Sequence, residues 1–289
     1  MTVAAPAPPG STRVLRCGHF SLPLKRPLIM GIVNVTPDSF SDGGRYWSRD
    51  AALAHAREMI AQGADIVDVG GESTRPGAAA VSLEEERRRV IPVVEALSGC
   101  GVPVSVDTRK PALMNEAIAA GASLVNDISA GEGSGALRAI AASQVGVCLM
   151  HKQGEPQTMQ ASPRYGDVVR EVRDYLVGRL EAAVAAGIAR ERIAIDPGFG
   201  FGKTFEHNLA LARELPVLAD LGVAVLVGLS RKGLLGRITR REPEERVHAS
   251  VAAALFAVEH GAHIVRVHDV TATRDALRVW EVLGGRIAG

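Results

Sequence analysis

The chain has 289 residues, of which 47% are hydrophobic and 22% are charged. That length fits two ordinary domains or one large α/β barrel, and the composition excludes a chain that is disordered throughout. The 33 Lys and Arg residues are balanced by 32 Asp and Glu residues. This balance argues against general binding to nucleic acid or to an anionic membrane, so any anion site must be local.

The first ten residues, MTVAAPAPPG, predict a flexible tail that lacks the positive and apolar regions of a signal peptide. No apolar run approaches the length of about 18 residues that indicates a membrane span, so none is expected. The three cysteines, Cys17, Cys100 and Cys148, have no metal-binding spacing, and an odd number suits a reducing compartment. We therefore expect a cytoplasmic protein in which residues 11–289 form a single domain and the cysteines are structural.

Two short apolar runs between Ser11 and Leu24 predict a hairpin. From Pro27 onward, a short apolar run is followed by an amphipathic helical pattern, and this unit repeats. The predicted strands are Leu28–Val33, Ile66–Val69, Val104–Val106, Ser123–Val125, Val147–Met150, Ile193–Ile195, Ala224–Val227 and Ile264–Val267. The predicted helices are Asp50–Gln62, Leu83–Leu97, Pro111–Ala120, Ala136–Ser143, Asp167–Ala186, His207–Leu215, Glu244–His260 and Thr273–Leu283.

This alternation of strands and helices predicts an all-parallel sheet. Eight strands can close a barrel, and their mostly apolar composition is that of a sheet buried on both faces. The sequence therefore predicts an α/β fold, a single (β/α)8 barrel with a short N-terminal tail and a hairpin before the first barrel strand. A doubly wound open sheet is the alternative.

Polar residues follow the predicted strands, and in a barrel the carboxyl ends of the strands meet at one mouth, where active sites lie. One polar residue at such a position is ordinary, because Asp and Asn often cap the next helix. A set contributed by every strand is harder to explain in that way. The set is Asn34, Gly70–Arg75, Asp107, Asn126, Asp127, Met150, His151, Asp196, Ser230–Lys232, Arg266 and His268.

The polar set divides into two chemical groups. Asp107, Asn126 and Asp196 offer hydrogen-bonding groups that suit the N–H edge of a flat, nitrogen-rich ring. The second group carries positive charge, or can, and suits phosphate or pyrophosphate; its members are Arg75, Lys232, Arg266 and His268. Because Arg266 and His268 are two residues apart on a strand, both are expected to face the barrel mouth.

Seven segments in this order resemble the dihydropteroate synthase family, and the resemblance runs from about Leu28 to the C-terminus. The segments are Asn34–Gly44, Gly70–Gly77, Val106–Thr108, Val125–Ile128, Asp196–Lys203, Ser230–Lys232 and Arg266–Asp269. Enzymes of this family join 6-hydroxymethyl-7,8-dihydropterin pyrophosphate to p-aminobenzoate in folate synthesis, giving 7,8-dihydropteroate and pyrophosphate. The resemblance also implies a TIM barrel, a homodimer and inhibition by sulfonamides.

The resemblance implies a role for each matching residue. The expected pterin-binding residues are Asp107, Asn126, Met150, Asp196 and Lys232. Pyrophosphate is expected to contact Asn34, Arg75, Arg266 and His268, with Asn34 also a ligand of Mg²⁺. The expected p-aminobenzoate pocket comprises Phe40, Thr74, Arg75, Phe201 and Ser230, of which Phe40, Thr74 and Arg75 match loops that order in the family when substrates bind.

The same resemblance implies the chemistry. Pyrophosphate is expected to leave ahead of attack by the neutral amine, so no strong base is required. The residues expected to take part directly are Asp42, Arg75, Lys232, Arg266 and His268, with Asp42 helping to hold a pterin-methylene cation.

Three alternatives remain at this point. The pterin-binding domain of a corrinoid methyltransferase has no use for a pyrophosphate cluster. A non-catalytic paralogue should have a broken first or second loop motif, and neither Asn34–Gly44 nor Gly70–Gly77 is broken. A phosphate-binding aldolase barrel would need an activated lysine such as Lys232.

Overall fold

The computed structural model describes residues 14–35, 49–73 and 80–284. Eight parallel strands close a barrel in the order β10-β3-β4-β5-β6-β7-β8-β9, and β10 pairs with both β9 and β3. The closed circuit confirms the predicted barrel and rules out the open sheet. The barrel strands are β3 (Leu28–Asn34), β4 (Ile66–Gly70), β5 (Val104–Asp107), β6 (Leu124–Asp127), β7 (Gly146–Met150), β8 (Ile193–Asp196), β9 (Ala224–Val227) and β10 (Ile264–Val267).

Ten α-helices lie within the described residues. They are α1 (Arg49–Ala61), α2 (Leu83–Leu97), α3 (Pro111–Ala119), α4 (Ala136–Ala141), α5 (Val168–Ala185), α6 (Phe205–Arg213), α7 (Pro216–Ala219), α8 (Gly233–Thr239), α9 (Val247–Glu259) and α10 (Val270–Leu283). No helix in these parts of the chain is long and apolar enough to cross a membrane.

The helix predictions need several corrections, and the helix predicted from Thr273 begins three residues earlier, at Val270. The helix predicted at His207–Leu215 begins at Phe205, because Thr204 and His207 cap its first turn reciprocally. The helix predicted from Glu244 begins at Val247, since Pro243–Glu245 forms a separate 3₁₀ turn. The short helices α7 and α8 were not predicted, because two glycines within α8 obscure its helical pattern.

Each barrel strand is buried on both faces, as its apolar composition predicted. In β3, Leu28 and Met30 belong to an inner cluster with residues of other strands, whereas Ile29 and Val33 pack in the outer cluster with the helices. This division follows from the alternation of side chains along a strand. The outer cluster is the larger of the two and forms the main core.

The predicted hairpin is confirmed and closes the N-terminal end of the barrel. Strands β1 (Val14–Cys17) and β2 (Phe20–Pro23) pair antiparallel. Leu15 and Cys17 are fully buried in the inner cluster together with Cys148. Burial raises the pKa of Cys17 to about 12 and that of Cys148 well above its ordinary value, so both remain neutral thiols within the core. The predicted tail, residues 1–10, lies outside the described residues.

Candidate active site

Four neighbouring strands contribute one layer of residues at the mouth opposite the hairpin. Asn34 of β3 is paired with Gly70 of β4, Gly70 with Asp107 of β5, and Asp107 with Asn126 of β6. A Cβ atom at Gly70 would lie 3.4 Å from the Asp107 Cβ atom, in ordinary contact. The strand pairing therefore brings together three of the side chains that the sequence singled out.

Arg266 spans the barrel and links these side chains. Its Nε atom donates to Asp68 Oδ2 over 2.6 Å, and its Nη2 atom donates to Asp107 Oδ2 over 2.9 Å. Asn126 Nδ2 donates to the same Asp68 oxygen over 3.0 Å. One arginine and one amide thus share a buried carboxylate of β4 beneath the mouth.

Burial and neighbouring charges shift the pKa values of Asp107 and Arg266. Burial raises the pKa of Asp107 to about 7; Arg266 opposes the rise, while the charges of Asp68 and Glu86 add to it. Burial alone would lower the pKa of Arg266, but Asp68 and Asp107 outweigh it and hold the pKa above its ordinary value. Arg266 therefore stays charged, while burial weakens the preference of Asp107 for its ionised form.

Asp196 and Lys232 form another wall of the mouth. Asp196 is paired with Met150 at the ends of β8 and β7, and its Oδ1 atom accepts the Gly198 N–H over 2.7 Å. Burial raises the pKa of Asp196, and the charge of Lys232 opposes this rise. Lys232 Nζ donates to the Phe199 carbonyl and lies 4.4 Å from the centroid of the Phe201 ring. Burial lowers the pKa of Lys232 to about 8.

The loop after β8 is folded tightly around the side chain of Lys203. Gly198 has φ +67°, and a Cβ atom there would lie 1.9 Å from the His151 carbonyl oxygen, so only glycine fits. Lys203 Nζ is 2.8 Å from His151 Nδ1, and it donates to the carbonyl oxygens of Gly198 and Phe201 over 2.9 and 3.1 Å. Burial lowers the pKa of Lys203 to about 7. This lysine fixes the loop from within.

An apolar surface and a hydrogen-bonded pair complete the described part of the mouth. Met150 and Phe201 pack with Ile128 and Met159 in a small buried cluster, which suits the face of a flat ring. Ser230 Oγ lies 3.0 Å from His268 Nδ1 and accepts the His268 backbone N–H over 3.2 Å.

Together these groups can bind one kind of ligand. Buried hydrogen-bonding side chains suit the polar edge of a planar heterocycle, the apolar cluster suits its face, and Lys232 and Arg266 supply positive charge for an anionic substituent. The chemistry of the described residues thus suits a nitrogen-rich ring that carries a negatively charged group.

Comparison with known proteins gives the family. Residues 30–268 match the model of the family described as pterin binding enzyme. The curated dihydropteroate synthase of Neisseria meningitidis serogroup B is 53% identical over 278 residues, which cover 94% of this chain and 98% of that protein. This chain belongs to the dihydropteroate synthase family.

Two solved structures of the dihydropteroate synthase family are also close matches. The Xanthomonas albilineans enzyme with 4-aminobenzoic acid is 53% identical, has a TM-score of 0.89, and aligns over 95% of this chain and 99% of its own. The Burkholderia cenocepacia enzyme with 7,8-dihydropteroate is also 53% identical, with a TM-score of 0.87 and coverage of 95% and 98%. These relatives favour the transferase over the corrinoid methyltransferase domain and the non-catalytic paralogue.

The structure brings most of the predicted site residues to one mouth, although their individual roles stay predictions. The residues there are Asn34, Asp107, Asn126, Met150, Asp196, Phe201, Ser230, Lys232, Arg266 and His268. Phe40, Asp42, Thr74 and Arg75 lie outside the described residues.

Two members of the predicted polar set have other tasks in this family member. Asp127 accepts the Ser129 and Gly131 backbone N–H groups, each over 2.7 Å, and so shapes the loop after β6. His151 is buried against Lys203, and burial together with the Lys203 charge lowers its pKa to about 3. Both residues support the site from its surroundings.

Sequence reasoning missed the roles of Asp68 and Lys203. Asp68 is the one charged residue within the apolar strand β4, and this contrast with its neighbours was the available signal. Lys203 ends the Asp196–Lys203 segment, and a lysine in such a loop is expected at the surface, although this lysine is buried. Both side chains hold other site residues in place.

Proposed function

We propose that this member of the dihydropteroate synthase family condenses 6-hydroxymethyl-7,8-dihydropterin pyrophosphate with p-aminobenzoate, releasing 7,8-dihydropteroate and pyrophosphate. The observation that carries the proposal is the convergence of Asp107, Asn126 and Asp196 with Lys232 and Arg266 at one end of the barrel. The cationic side chains beside the ring site support pyrophosphate as the leaving group.

The pterin would lie between the polar residues and the apolar cluster. Asp196 uses Oδ1 for the Gly198 N–H and would direct its second oxygen to the 2-amino and N3 donors of the ring. Asn126 and Asp107 would contact the other polar edge, with Met150 against the face of the ring. Lys232 would reach the ring from the side of Asp196.

Pyrophosphate would contact Arg266, His268 and Asn34, together with Arg75. The guanidinium of Arg266 has Nε and Nη2 engaged by carboxylates, so the remaining donors of Nη1 suit a phosphate oxygen. The buried setting of Arg266 strengthens this attraction relative to water.

Asn34 fits the expected Mg²⁺. An amide oxygen is a hard ligand, Asn34 ends its strand in the same layer as Asp107, and Mg²⁺ uses few protein ligands when a substrate supplies phosphate oxygens. When bound, Mg²⁺ would neutralise part of the charge of the leaving pyrophosphate.

The p-aminobenzoate pocket would combine Phe201 and Ser230 with Phe40, Thr74 and Arg75. Phe201 belongs to the buried cluster that includes Met150, which supports a position for the second ring beside the pterin. Sulfonamides, which copy the shape of the amine substrate, would compete for this pocket. We expect p-aminobenzoate to bind after the pterin pyrophosphate and to show weak affinity for the free protein.

The mechanism requires little proton transfer. Arg75, Arg266 and His268 would hold the departing pyrophosphate, and Asp42 would hold the pterin-methylene cation. The aniline nitrogen of p-aminobenzoate is neutral and attacks through its lone pair. It then loses a proton to solvent or to the released pyrophosphate. Lys232 would keep the ring in position through these steps rather than form a Schiff base, since its Nζ donates to the Phe199 carbonyl.

We also propose a homodimer. Exposed apolar side chains on α9 and α10, namely Phe256, Val279, Val282 and Leu283, support association through this pair of helices. Light scattering should give twice the chain mass, and Val279→Glu should shift the mass toward that of one chain. A wild-type protein with the mass of one chain would contradict the proposal.

Steady-state release of pyrophosphate tests the enzymatic function. Release should require the pterin pyrophosphate, p-aminobenzoate and Mg²⁺ together, and a sulfonamide should inhibit it competitively against p-aminobenzoate. Release at the same rate without the amine would indicate a hydrolase and contradict the proposal.

A further inference from the structure

Asp68 is a fully buried carboxylate with a narrow set of partners. Its Oδ2 atom accepts from Arg266 Nε over 2.6 Å and from Asn126 Nδ2 over 3.0 Å. Its Oδ1 atom is buried and accepts no hydrogen bond from any described residue. Removing a carboxylate from water is costly, so a carboxylate that bonds only Arg266 and Asn126 is expected to act through these two residues.

The carboxylate decides which end of the Asn126 amide faces the mouth. An amide has one accepting oxygen and one donating nitrogen, and its surroundings fix their orientation. Asp68 can only accept when ionised, so the nitrogen of Asn126 turns toward it. The oxygen is thereby left for a ligand at the mouth, next to Asp107 in the adjoining strand.

The same carboxylate sets the pose of Arg266. Nε of the guanidinium is bound to Asp68 in β4, and Nη2 is bound to Asp107 in β5. Two anchors on neighbouring strands fix the plane of the guanidinium, and Nη1 donates to none of the described residues. The donors left over therefore point in one defined direction.

We propose that Asp68 is a positioning residue that makes Asn126 an acceptor toward the pterin and orients Arg266 toward the pyrophosphate. The inference rests on the proposed function, since it specifies how that site distinguishes an N–H donor from a ring acceptor. Asp68 itself does not touch substrate. By orienting Asn126, Asp68 favours binding of a ring that has N–H groups facing the Asn126 oxygen.

Removal of the shared acceptor tests this orientation. In Asp68→Ala, neither the amide of Asn126 nor the Nε atom of Arg266 has a carboxylate to hold it, and affinity for 6-hydroxymethyl-7,8-dihydropterin should fall by about 10-fold or more. In Asp68→Asn, the amide oxygen can take the place of Oδ2, the one atom that accepts from both residues, so the orientation of both is kept and only the charge is lost.

The two variants therefore separate orientation from charge. By titration calorimetry, we expect the dissociation constant of Asp68→Asn to be several-fold lower than that of Asp68→Ala. A dissociation constant of Asp68→Ala equal to that of the wild-type protein, or equal losses of affinity in the two variants, would overturn the inference.

A measurement on the wild-type protein needs no substitution at position 68. Of the two side-chain amide protons of Asn126, identified by their loss in Asn126→Asp, the one donated to Asp68 should stay hydrogen-bonded, and hence downfield, when the pterin is added. Loss of this hydrogen bond on pterin binding, seen as a large upfield shift of that proton, would overturn the inference even if Asp68→Ala fails to fold. Failure of the wild-type protein to bind any pterin would instead contradict the proposed function.

Discussion

Replacement of Asp196 by Asn should weaken pterin binding through two effects. The Gly198 N–H lies 2.7 Å from Asp196 Oδ1, and it would hold the oxygen of the new amide in that place. The amide nitrogen would then occupy the position of the second carboxylate oxygen and face the donors of the pterin. The charge that Lys232 and Arg266 now surround would also be lost. A hydrogen bond to a charged group contributes about 1.5–3 kcal/mol, so affinity should fall by roughly 10- to 100-fold.

Titration calorimetry with 6-hydroxymethyl-7,8-dihydropterin measures this loss, and Asp127→Asn is its matched control. Asp127 is also a buried carboxylate at the end of a strand, but it accepts backbone N–H groups of its own loop. The control variant should lose stability in a denaturant titration while its pterin affinity stays within about threefold of wild type, less than the loss of one charged hydrogen bond. Unchanged affinity in Asp196→Asn, or equal losses in the two variants, would refute the assignment of Asp196 to the pterin pocket.

Three further predictions follow from burial and geometry. Because burial lowers the pKa of Lys232 to about 8, kcat/KM for the pterin pyrophosphate should fall as the pH rises above that value, and Lys232→Met, though less active, should lack this alkaline decline. Gly198→Ala should abolish pterin binding in a calorimetric titration because its Cβ atom would meet the His151 carbonyl oxygen. Its control, Gly187→Ala, has open space around the new Cβ atom and should only lower the free energy of unfolding, by the roughly 1–2 kcal/mol of a left-handed backbone. Leu15→Ala should lower the free energy of unfolding by about 2–5 kcal/mol in a denaturant titration yet leave pterin affinity unchanged, since the hairpin closes the opposite end of the barrel.

The barrel could be predicted because its strands are short apolar runs separated by glycines and polar caps. The strand predicted at Ile193–Ile195 extends only one residue further, to Asp196, in the structure. Helix α8 escaped prediction because Gly233 and Gly236 lower the helical tendency that its leucines and isoleucine would otherwise indicate. In the structure, Leu235 of this helix is buried and the helix contacts α9.

The site was partly predictable because its polar residues lie at the ends of the predicted strands. Asp107 and Asp196 are the last residues of their strands, and parallel strands of a barrel end at one mouth. The contact between Arg266 and Asp68 joins residues 198 positions apart, and strand spacing alone gives no sign of it. Likewise, the sequence shows Lys203 as a charge in a glycine-rich loop, and only the folded loop reveals the carbonyl oxygens that surround its ammonium group.

The central claim is that this mouth forms the bond between a pterin methylene carbon and the nitrogen of p-aminobenzoate. Mass spectrometry of a reaction with ¹⁵N-labelled p-aminobenzoate, the pterin pyrophosphate and Mg²⁺ tests that claim most directly. We predict 7,8-dihydropteroate that carries the label, formed in step with released pyrophosphate and lost in Asp196→Asn at low pterin concentration. Unlabelled 6-hydroxymethyl-7,8-dihydropterin as the only product, or no turnover by folded protein that binds both substrates, would contradict it.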